Sequence, residues 1–458
     1  MIRLFNHYLP LQLVLLTALE AAVLFGSLVL GFRIRLFAEP LPVPFAEASI
    51  FTVVMLLTMT AMGLYQSKAE PFRTTVQRLA VAYGLALVAM SLIFYLLPET
   101  YIGRGVFAIA SALALTGVVV VRTMFFRLTD YGLPKRRVLV LGNGPEAEEV
   151  IRFLHRGERG RAVQYAGLYP VTPDRSGRDD IERRVNHDAL LRTVHDLKVG
   201  EIVIAVRERR GGVLPLRQLL DAKLHGVQVS DLASFYEREL GILHVDNIKA
   251  SWLIFGSGFD QGLLRDVVKR VFDVFVSVAL FLATLPILAL AALAVVLESG
   301  FPILYRQERV GQGGTLFTIL KLRSMVANAE SAGNPQWAKP NDARITLVGR
   351  FLRRTRIDEL PQLINVIRGD MSFVGPRPER PYFVEQLLDD IPYYDVRHSV
   401  KPGVTGWSQV RYPYGASVED SLKKLQYDLY YVKNHSLFLD LLILVETLQV
   451  VVLGKGAR

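Results

Sequence analysis

The chain has 458 residues, 51% of them hydrophobic, and its 53 Lys and Arg outnumber 43 Asp and Glu for a formal net charge of +10. There is no cysteine, which excludes disulfides, thiolate catalysis and cysteine-based metal sites. In so apolar a chain, an excess of basic residues favours contact with anionic lipid headgroups over binding of nucleic acid. Any metal is expected to be a hard cation held by carboxylates.

Four apolar stretches occupy the first 130 residues, at 11–32, 50–64, 79–97 and 106–126. Most approach the roughly 20 residues that cross a bilayer, so residues 1–130 are predicted to form a four-helix transmembrane anchor. Basic residues are concentrated after the second and fourth stretches, which predicts a cytoplasmic N-terminus and a cytoplasmic remainder of the chain after residue 130. Glu20, inside the first stretch, is interpreted as a helix contact rather than a proton relay.

The segment "RRVLVLGNGPEAEEVIRFL" (136–154) has the pattern of a strand, a glycine turn and a helix. Gly142-x-Gly144-x-x-Ala147 fits a loose dinucleotide fingerprint, and further strand signals at 201–206 and 226–232 predict a Rossmann-like α/β domain over 136–245. The acidic residue expected after the second strand is missing, and Pro145 departs from the pattern. A structural or regulatory module is therefore favoured over a nucleotide site.

A fifth apolar run covers residues 274–297 and has Pro286 at its middle. Basic residues flank both ends, including Lys269 and Arg306, so both ends are expected on the cytoplasmic side. Proline removes a backbone hydrogen bond and kinks a helix, so the run is predicted to be re-entrant. The alternative is a kinked spanning helix, which would place the following domain outside. The last apolar segment, Leu437–Leu453, contains two acids and is predicted to be interfacial.

Two adjacent carboxylates, Asp358 and Glu359, open the stretch "DELPQLINVIRGD". Proline is tolerated only in the first turn of a helix, so Pro361 predicts a helix that begins near Asp358, with its amide groups facing an anion. The alternative is a helix cap, because Thr355-x-x-Asp358 also fits a capping box. Taken alone, this stretch fits capping better than catalysis.

Five motifs in order change that balance, because together they resemble the bacterial polyprenyl-phosphate glycosyl-1-phosphate transferases. The preceding helices and α/β domain resemble the large members of that family. The resemblance implies a membrane protein whose residues 263–458 form a mainly helical, monotopic catalytic domain with a re-entrant helix at 274–297. The motifs are "KRVFD" (269–273), "YRQERVG" (305–311), "KLRSM" (321–325), "RRTRIDELPQLINVIRGDMSFVGPRPE" (353–379) and "KPGVTGW" (401–407).

The resemblance also implies roles for individual residues. Asp358 resembles the nucleophile that forms an acyl-phosphate, and Glu359 the neighbouring acid, with both linked to Mg²⁺. Arg353 and Arg377 would contact the donor phosphates, for which arginine offers a planar fork. Lys321 is a further candidate phosphate contact, with a structural ion pair as its alternative.

At the membrane surface, Lys269 and Arg270 are expected to reach lipid headgroups or the lipid phosphate. The family shows Ser-Pro in the re-entrant helix, whereas this chain has Leu285-Pro286. The break at Pro286 is expected to survive this change, while the hydrogen bond of the family's serine is in doubt.

The predicted function is transfer of a sugar-1-phosphate from a UDP-sugar to undecaprenyl phosphate, releasing UMP, through a covalent aspartyl-phosphosugar. This would be the first membrane step of exopolysaccharide or O-antigen synthesis, at the cytoplasmic face of the bacterial inner membrane. Membrane lipids are expected partners, nucleic acid is not, and a homodimer is left open.

Two other functions remain as alternatives. One is a membrane-bound, NAD-dependent sugar dehydratase or epimerase, whose Tyr-x-x-x-Lys motif has a single match, Tyr131–Lys135, broken by Pro134. The other is a non-enzymatic regulator of polysaccharide assembly, which would not need the phosphate-binding residues.

Overall fold

The computed structural model describes residues 2–4, 7–36, 44–65, 72–132, 135–155, 163–171, 189–206, 214–245, 262–326, 344–412, 415 and 417–452. The chain forms two compact units. The first comprises Met1–Ile2 and Tyr8–Glu239, and the second Arg3–His7 and Leu240–Arg458.

The first unit begins with four apolar helices, as the hydrophobic pattern predicts. By length and composition, three of them can cross a membrane, and the helix Phe45–Ala61, with 17 residues, is shorter than such a span. The fourth candidate span among the described residues is Leu263–Ser299, in the second unit. The four N-terminal helices are Leu11–Arg35, Phe45–Ala61, Phe72–Leu96 and Arg104–Gly132.

Glu20 is a helix contact in this bundle. Its carboxylate is fully buried, and Arg122 Nε lies 2.7 Å from Glu20 Oε1. The Tyr65 hydroxyl also donates to this carboxylate. An ionised group inside an apolar bundle is tolerated when it is paired and hydrogen-bonded in this way. Gly31 allows the first and fourth helices to approach closely, because it has no side chain. A Cβ atom there would lie only 2.9 Å from the Ala110 backbone nitrogen.

The α/β part of the first unit is a four-stranded, wholly parallel sheet. Its strands stand in the order Val163–Tyr169, Arg136–Leu141, Glu201–Ile204 and Gln228–Asp231. Parallel strands need crossover connections, and helices with one apolar face provide them. These helices are Pro145–His155, 189–196 and Leu216–Leu224, and Leu232–Leu240 follows the last strand.

The second unit is mainly helical, as predicted, and its core is formed by buried aromatic and aliphatic side chains such as Tyr430, Tyr431 and Trp407. Its described residues include an antiparallel hairpin, Leu304–Val310 with Leu316–Leu322, and a short parallel pair, Ser372–Val374 with Gly403–Thr405. The helices are Leu263–Ser299, Leu347–Thr355, Gln362–Arg368, Pro381–Asp390, Trp407–Arg411, Val418–Asn434 and Leu437–Val452.

Residues before position 263 also belong to the second unit. Leu243 and Val245 are buried in its core, and Trp407 Nε1 donates to the Gly241 carbonyl at 2.8 Å. His7 Nδ1 lies 2.7 Å from the Tyr430 hydroxyl. The unit therefore extends beyond the predicted range 263–458.

The helix Leu263–Ser299, named here the proline helix, has 37 residues and contains Pro286. Residues on both sides of Pro286 stay helical, so the predicted interruption is not a loop. The Thr284 hydroxyl donates to the Leu280 carbonyl at 2.7 Å, a back-bond that often accompanies helix bending. Large apolar side chains such as Phe275 and Leu290 are exposed along the helix, as expected for a surface that faces lipid.

Candidate active site

The two carboxylates Asp358 and Glu359 lie in a single 3-10 turn, Ile357–Glu359. Arg356, in the left-handed region at φ 60°, ends the preceding helix and directs the chain into this turn. The next helix begins only at Gln362, so the dyad lies just before a helix rather than in its first turn. The capping alternative finds no support here, because neither Arg356 nor Pro361, the cap residues of the turn and of the next helix, makes a side-chain cap hydrogen bond. The Thr355 hydroxyl donates back to the Phe351 carbonyl at 2.8 Å.

Glu359 is held by three cations. Its Oε1 accepts from Lys321 Nζ at 3.1 Å and from Arg377 Nη2 at 3.0 Å, and Arg356 Nη1 lies 3.6 Å from its Oε2. Burial alone would raise the pKa of Glu359, but Lys321, then Arg377 and Arg356, lower it well below its usual range. Glu359 is therefore ionised at neutral pH and aligns the cations around it.

Asp358 has the opposite environment although it is the adjacent residue. Its side chain is buried, and Oδ1 has no hydrogen-bond partner among the described residues. Burial, and then the negative charge of Glu359, raise the pKa of Asp358 to about 6 against the opposing effect of Lys321 and Arg353. An unpaired carboxylate oxygen with raised basicity has the properties of a nucleophile.

Arg377 belongs to the segment Gly375–Pro378, named here the arginine loop. The Gly375 amide donates to the Thr405 carbonyl, and the Gly403 amide to the Pro376 carbonyl, each at 2.9 Å. A side chain at Gly375 would lie 2.3 Å from the Lys401 carbonyl oxygen, so only glycine permits this approach. The "KPGVTGW" motif therefore acts as the backbone support of the arginine loop.

Two further arginines hold the same loop, and neither was predicted from the sequence. Arg309 Nη1 donates to the Pro378 carbonyl at 3.0 Å, and Arg397 Nη2 to the Arg377 carbonyl at 2.9 Å. Arg397 is itself paired with buried Asp428 at 2.8 Å. Arg309 lies within the recognised "YRQERVG" motif, which was the available signal, whereas nothing local to Arg397 indicates its contact.

The fold brings three of the predicted phosphate-contact residues to the dyad. Lys321 stands on the second hairpin strand, and Arg377 on the arginine loop. Arg353, in the last turn of the helix before the dyad, acts on Asp358 through its charge. Burial lowers the pKa of Lys321, while Glu359 opposes that effect. The contact between Lys321 and Glu359 also fits the alternative interpretation, in which Lys321 forms a structural ion pair.

Lys269 and Arg270 are not brought to the dyad. Lys269 Nζ lies 2.9 Å from Asp440 Oδ2 and 3.3 Å from Asp273 Oδ1. Arg270 donates to the Val366 carbonyl at 2.5 Å and to the Ile367 carbonyl at 2.8 Å, at the C-terminal end of a helix where a cation is favoured. Both residues attach the proline helix to other elements of the second unit, and their role in lipid binding stays a prediction.

The residues at the dyad fit a hard divalent cation. Among the described residues, no group of three or more His, Asp or Glu side chains could hold a metal alone. Mg²⁺, however, is usually bound by one or two carboxylates together with water and substrate phosphates. The unpaired Oδ1 of Asp358 is suited to such a contact.

Comparison with known proteins identifies the family. Residues 264–454 match the bacterial sugar transferases. The chain is 32% identical over 332 residues to the UDP-glucose:undecaprenyl-phosphate glucose-1-phosphate transferase of Escherichia coli, covering 70% of this chain and 68% of that one. The chain belongs to the bacterial sugar transferase family.

Other relatives differ in how much of their length is matched. The UDP-glucose:undecaprenyl-phosphate glucose-1-phosphate transferase of Xanthomonas campestris is 29% identical over 474 residues, covering 99% of this chain and 96% of that one. The UDP-N-acetylgalactosamine-undecaprenyl-phosphate N-acetylgalactosaminephosphotransferase of Aeromonas hydrophila is 44% identical over 191 residues. That match covers 42% of this chain and 45% of the Aeromonas protein, less than half of its length.

Proposed function

We propose that this protein transfers a sugar-1-phosphate from a UDP-sugar to undecaprenyl phosphate and releases UMP. The observation that carries the proposal is the unpaired, buried Oδ1 of Asp358, next to a carboxylate that gathers Lys321 and Arg377. The reactions named for the relatives support the same chemistry.

The reaction is a double displacement at phosphorus. Asp358 attacks the sugar-bearing phosphorus of the donor, the bond to the UMP oxygen breaks, and UMP leaves with the electron pair. An oxygen of undecaprenyl phosphate then attacks the aspartyl-phosphosugar and releases the Asp358 carboxylate. Lys321 and Arg377 stabilise the negative charge that develops on the phosphate oxygens. Mg²⁺, held by Asp358 and Glu359 with the donor phosphates, would supply further charge neutralisation.

A screen of UDP-sugars tests this function. The purified protein, with undecaprenyl phosphate and Mg²⁺, is expected to release UMP with at least one UDP-sugar and to form a lipid-linked sugar in equal amount. UDP-glucose and UDP-N-acetylgalactosamine are tried first because the relatives' names contain these sugars. Release of UDP instead of UMP would refute phosphosugar transfer, and absence of product with every sugar would favour a non-enzymatic role.

The α/β sheet is proposed as a Rossmann-like structural or regulatory module rather than a nucleotide site. Gly142, the first glycine of the fingerprint, has φ 150°, and a side chain there would lie 2.3 Å from the Ala205 carbonyl oxygen. This glycine is thus explained by close packing between neighbouring strands, without any phosphate. We expect NAD to change neither the activity nor the thermal stability of the protein.

Re-entry of the proline helix into the bacterial inner membrane is supported by where its two ends are attached. Arg270 donates to the Val366 carbonyl, and Arg323 Nη2 donates to the Ser299 carbonyl at 2.6 Å. Val366 and Arg323 are close neighbours through Leu320, whose amide donates to the Asn365 side chain at 3.0 Å.

These attachment points are difficult to reconcile with a straight helix. Residues 270 and 299 would be about 43 Å apart at 1.5 Å per residue, whereas Leu320 and Arg323 are about 10 Å apart along an extended chain. A bend at Pro286 would resolve the difference and keep both ends of the helix, with the soluble part of the second unit, on the cytoplasmic side.

Single cysteines in this cysteine-free chain test the topology. Leu264 and Arg306 are exposed and lie beyond the two ends of the apolar run. Leu264→Cys and Arg306→Cys are both expected to react with a membrane-impermeant thiol reagent only from the cytoplasmic side. Labelling of Arg306→Cys from the periplasm would refute re-entry.

A further inference from the structure

A ring of polar groups closes around the carbonyl oxygen of Val374, the residue that directly precedes the arginine loop. The Ser372 hydroxyl lies 2.9 Å from this oxygen and 2.7 Å from Asp273 Oδ2. The Tyr431 hydroxyl lies 2.9 Å from the same oxygen and 2.7 Å from Asp440 Oδ1. Two hydroxyls, each backed by a carboxylate, therefore meet at one backbone acceptor.

Lys269 closes the ring on the other side. Its Nζ lies 3.3 Å from Asp273 Oδ1 and 2.9 Å from Asp440 Oδ2. Asp273 and Lys269 belong to the proline helix, and Asp440 to the C-terminal helix Leu437–Val452. The ring thus joins two apolar helices to the strand that leads into the arginine loop.

The ring contains fewer protons than contacts when its charged groups are in their ordinary states. Each hydroxyl has one proton, so Ser372 and Tyr431 cannot each donate both to a carboxylate and to the Val374 carbonyl. If both donated to ionised carboxylates, the Val374 oxygen would face two oxygens without a proton between them. One additional proton on a carboxylate relieves one of these two contacts, because that acid then donates to its hydroxyl and the hydroxyl donates to Val374.

Burial favours a proton on Asp440. Asp440 is completely buried, and burial raises its pKa against the opposing effect of Lys269. The other facing groups are Tyr431, Arg265 and His435, and Lys401 acts with Asp273 through its charge. Burial, then Arg265, lower the pKa of His435 to about 4, so His435 is neutral.

We propose that Lys269, Asp273, Ser372, Tyr431 and a protonated Asp440 form a positioning device that sets the place of Arg377 through the Val374 carbonyl. None of these residues touches the dyad. The proposal deepens the proposed function and rests on it, because Arg377 is taken to bind the donor phosphates. Prolines on both sides of Arg377 restrict the loop, so a shift of Val374 is transmitted to the guanidinium.

Two adjacent tyrosines provide a matched test. Tyr431→Phe removes the hydroxyl that donates to Val374, whereas Tyr430→Phe removes an equally buried hydroxyl that contacts His7. Both variants are expected to lose similar thermal stability. Only Tyr431→Phe is expected to raise the KM for the UDP-sugar, by about three- to tenfold, the effect of one lost hydrogen bond on Arg377 placement. Equal donor KM values in the two variants would refute the proposal.

Asp440→Asn tests the protonation state. A carboxamide can donate to the Tyr431 hydroxyl as a protonated acid does, so this variant is expected to keep the wild-type donor KM at neutral pH. Because a raised pKa means that the proton is lost as pH rises, the wild-type donor KM should increase on the alkaline side while that of Asp440→Asn stays constant. A donor KM in Asp440→Asn as high as in Tyr431→Phe would refute a protonated Asp440.

Hydrogen exchange separates this proposal from the proposed function. In the full-length protein without substrate, the amides of Gly375 and Arg377 are expected to exchange faster in Tyr431→Phe than in Tyr430→Phe. This comparison requires no activity, so it supports or refutes the ring even if the protein transfers no sugar. Equal exchange in both variants would mean that the ring does not hold the loop.

Discussion

Two buried clusters of acids and arginines differ in charge balance. Beside the parallel sheet, Glu201 and Glu239 face Arg136 and Arg238, two acids against two arginines. Arg238 Nη2 lies 2.7 Å from Glu201 Oε1, and Arg136 Nη2 lies 2.8 Å from Glu239 Oε1. Arg136 Nε also contacts Glu201 at 3.0 Å, and Arg238 Nε contacts Glu239 at 2.9 Å. Each carboxylate is paired with both arginines, and the cluster is neutral.

At the dyad, by contrast, the cations outnumber the carboxylates. Its two carboxylates face four cations, since Lys321, Arg353 and Arg356 act on Asp358 and Arg377 binds Glu359. Asp358 Oδ1 nevertheless has no hydrogen-bond partner in the part of the chain that the structure describes. In a closed, neutral cluster every buried charge has a partner, whereas surplus positive charge beside an unpaired acid indicates a site for an anionic ligand.

Removal of the unpaired acid, Asp358, should have the largest effect on transfer. Asp358→Asn is expected to lower transfer at least about a thousandfold and to abolish covalent labelling by a radioactive UDP-sugar, because the nucleophile is lost. The raised pKa of Asp358 means that its ionised form destabilises the fold above pH 6, so the variant should unfold at the same or a higher temperature. Substantial turnover by this variant would exclude Asp358 as the nucleophile.

Removal of one surplus cation should have the next largest effect. Arg377→Ala is expected to lower kcat/KM for the UDP-sugar about a hundredfold, in the range observed when one preorganised donor is lost from a transition state. Arg354→Ala is the matched control, because Arg354 is an exposed arginine four residues before the dyad. Equal losses in the two variants would show that the effect is one of general charge.

The pH dependence of transfer tests the raised pKa of Asp358. Protonation of Asp358 blocks nucleophilic attack. We therefore expect kcat/KM to reach its maximum above pH 6 and to fall about tenfold per pH unit below it. Glu359, whose pKa is lowered, should remain ionised through this range. A rate that stays constant down to pH 4.5 would contradict the assignment.

The neutral cluster should give the smallest effect on transfer. Arg238→Leu leaves Glu201 buried with one partner fewer, and such a loss typically destabilises a protein by about 3–5 kcal/mol. We expect a lower unfolding temperature in a thermal melt, with kcat/KM unchanged at temperatures where the protein remains folded. Replacing Glu201 and Arg238 together with leucine should recover part of the stability, since no unpaired charge then remains.

Local pattern in the sequence determined much of this protein. Apolar length predicted the N-terminal helices, and strand-turn-helix alternation predicted the parallel sheet, because secondary structure follows the periodicity of neighbouring residues. The motifs that carry the family resemblance selected Asp358, Glu359, Lys321 and Arg377. The same local reasoning placed the start of the helix Gln362–Arg368 too early, at Asp358. Pro361 is the cap residue just before this helix, and Asp358 lies in a separate 3-10 turn.

Only the tertiary structure decided which charges meet. Adjacent Asp358 and Glu359 look alike in sequence, yet one is unpaired and the other holds Lys321 and Arg377, residues 38 and 18 positions away. Lys269 likewise acquires Asp440 as a partner, and Gly241 meets Trp407 in the second unit. Such contacts join distant parts of the chain, and the pKa values and unpaired atoms that create a reactive site depend on burial and distance, which local periodicity does not encode.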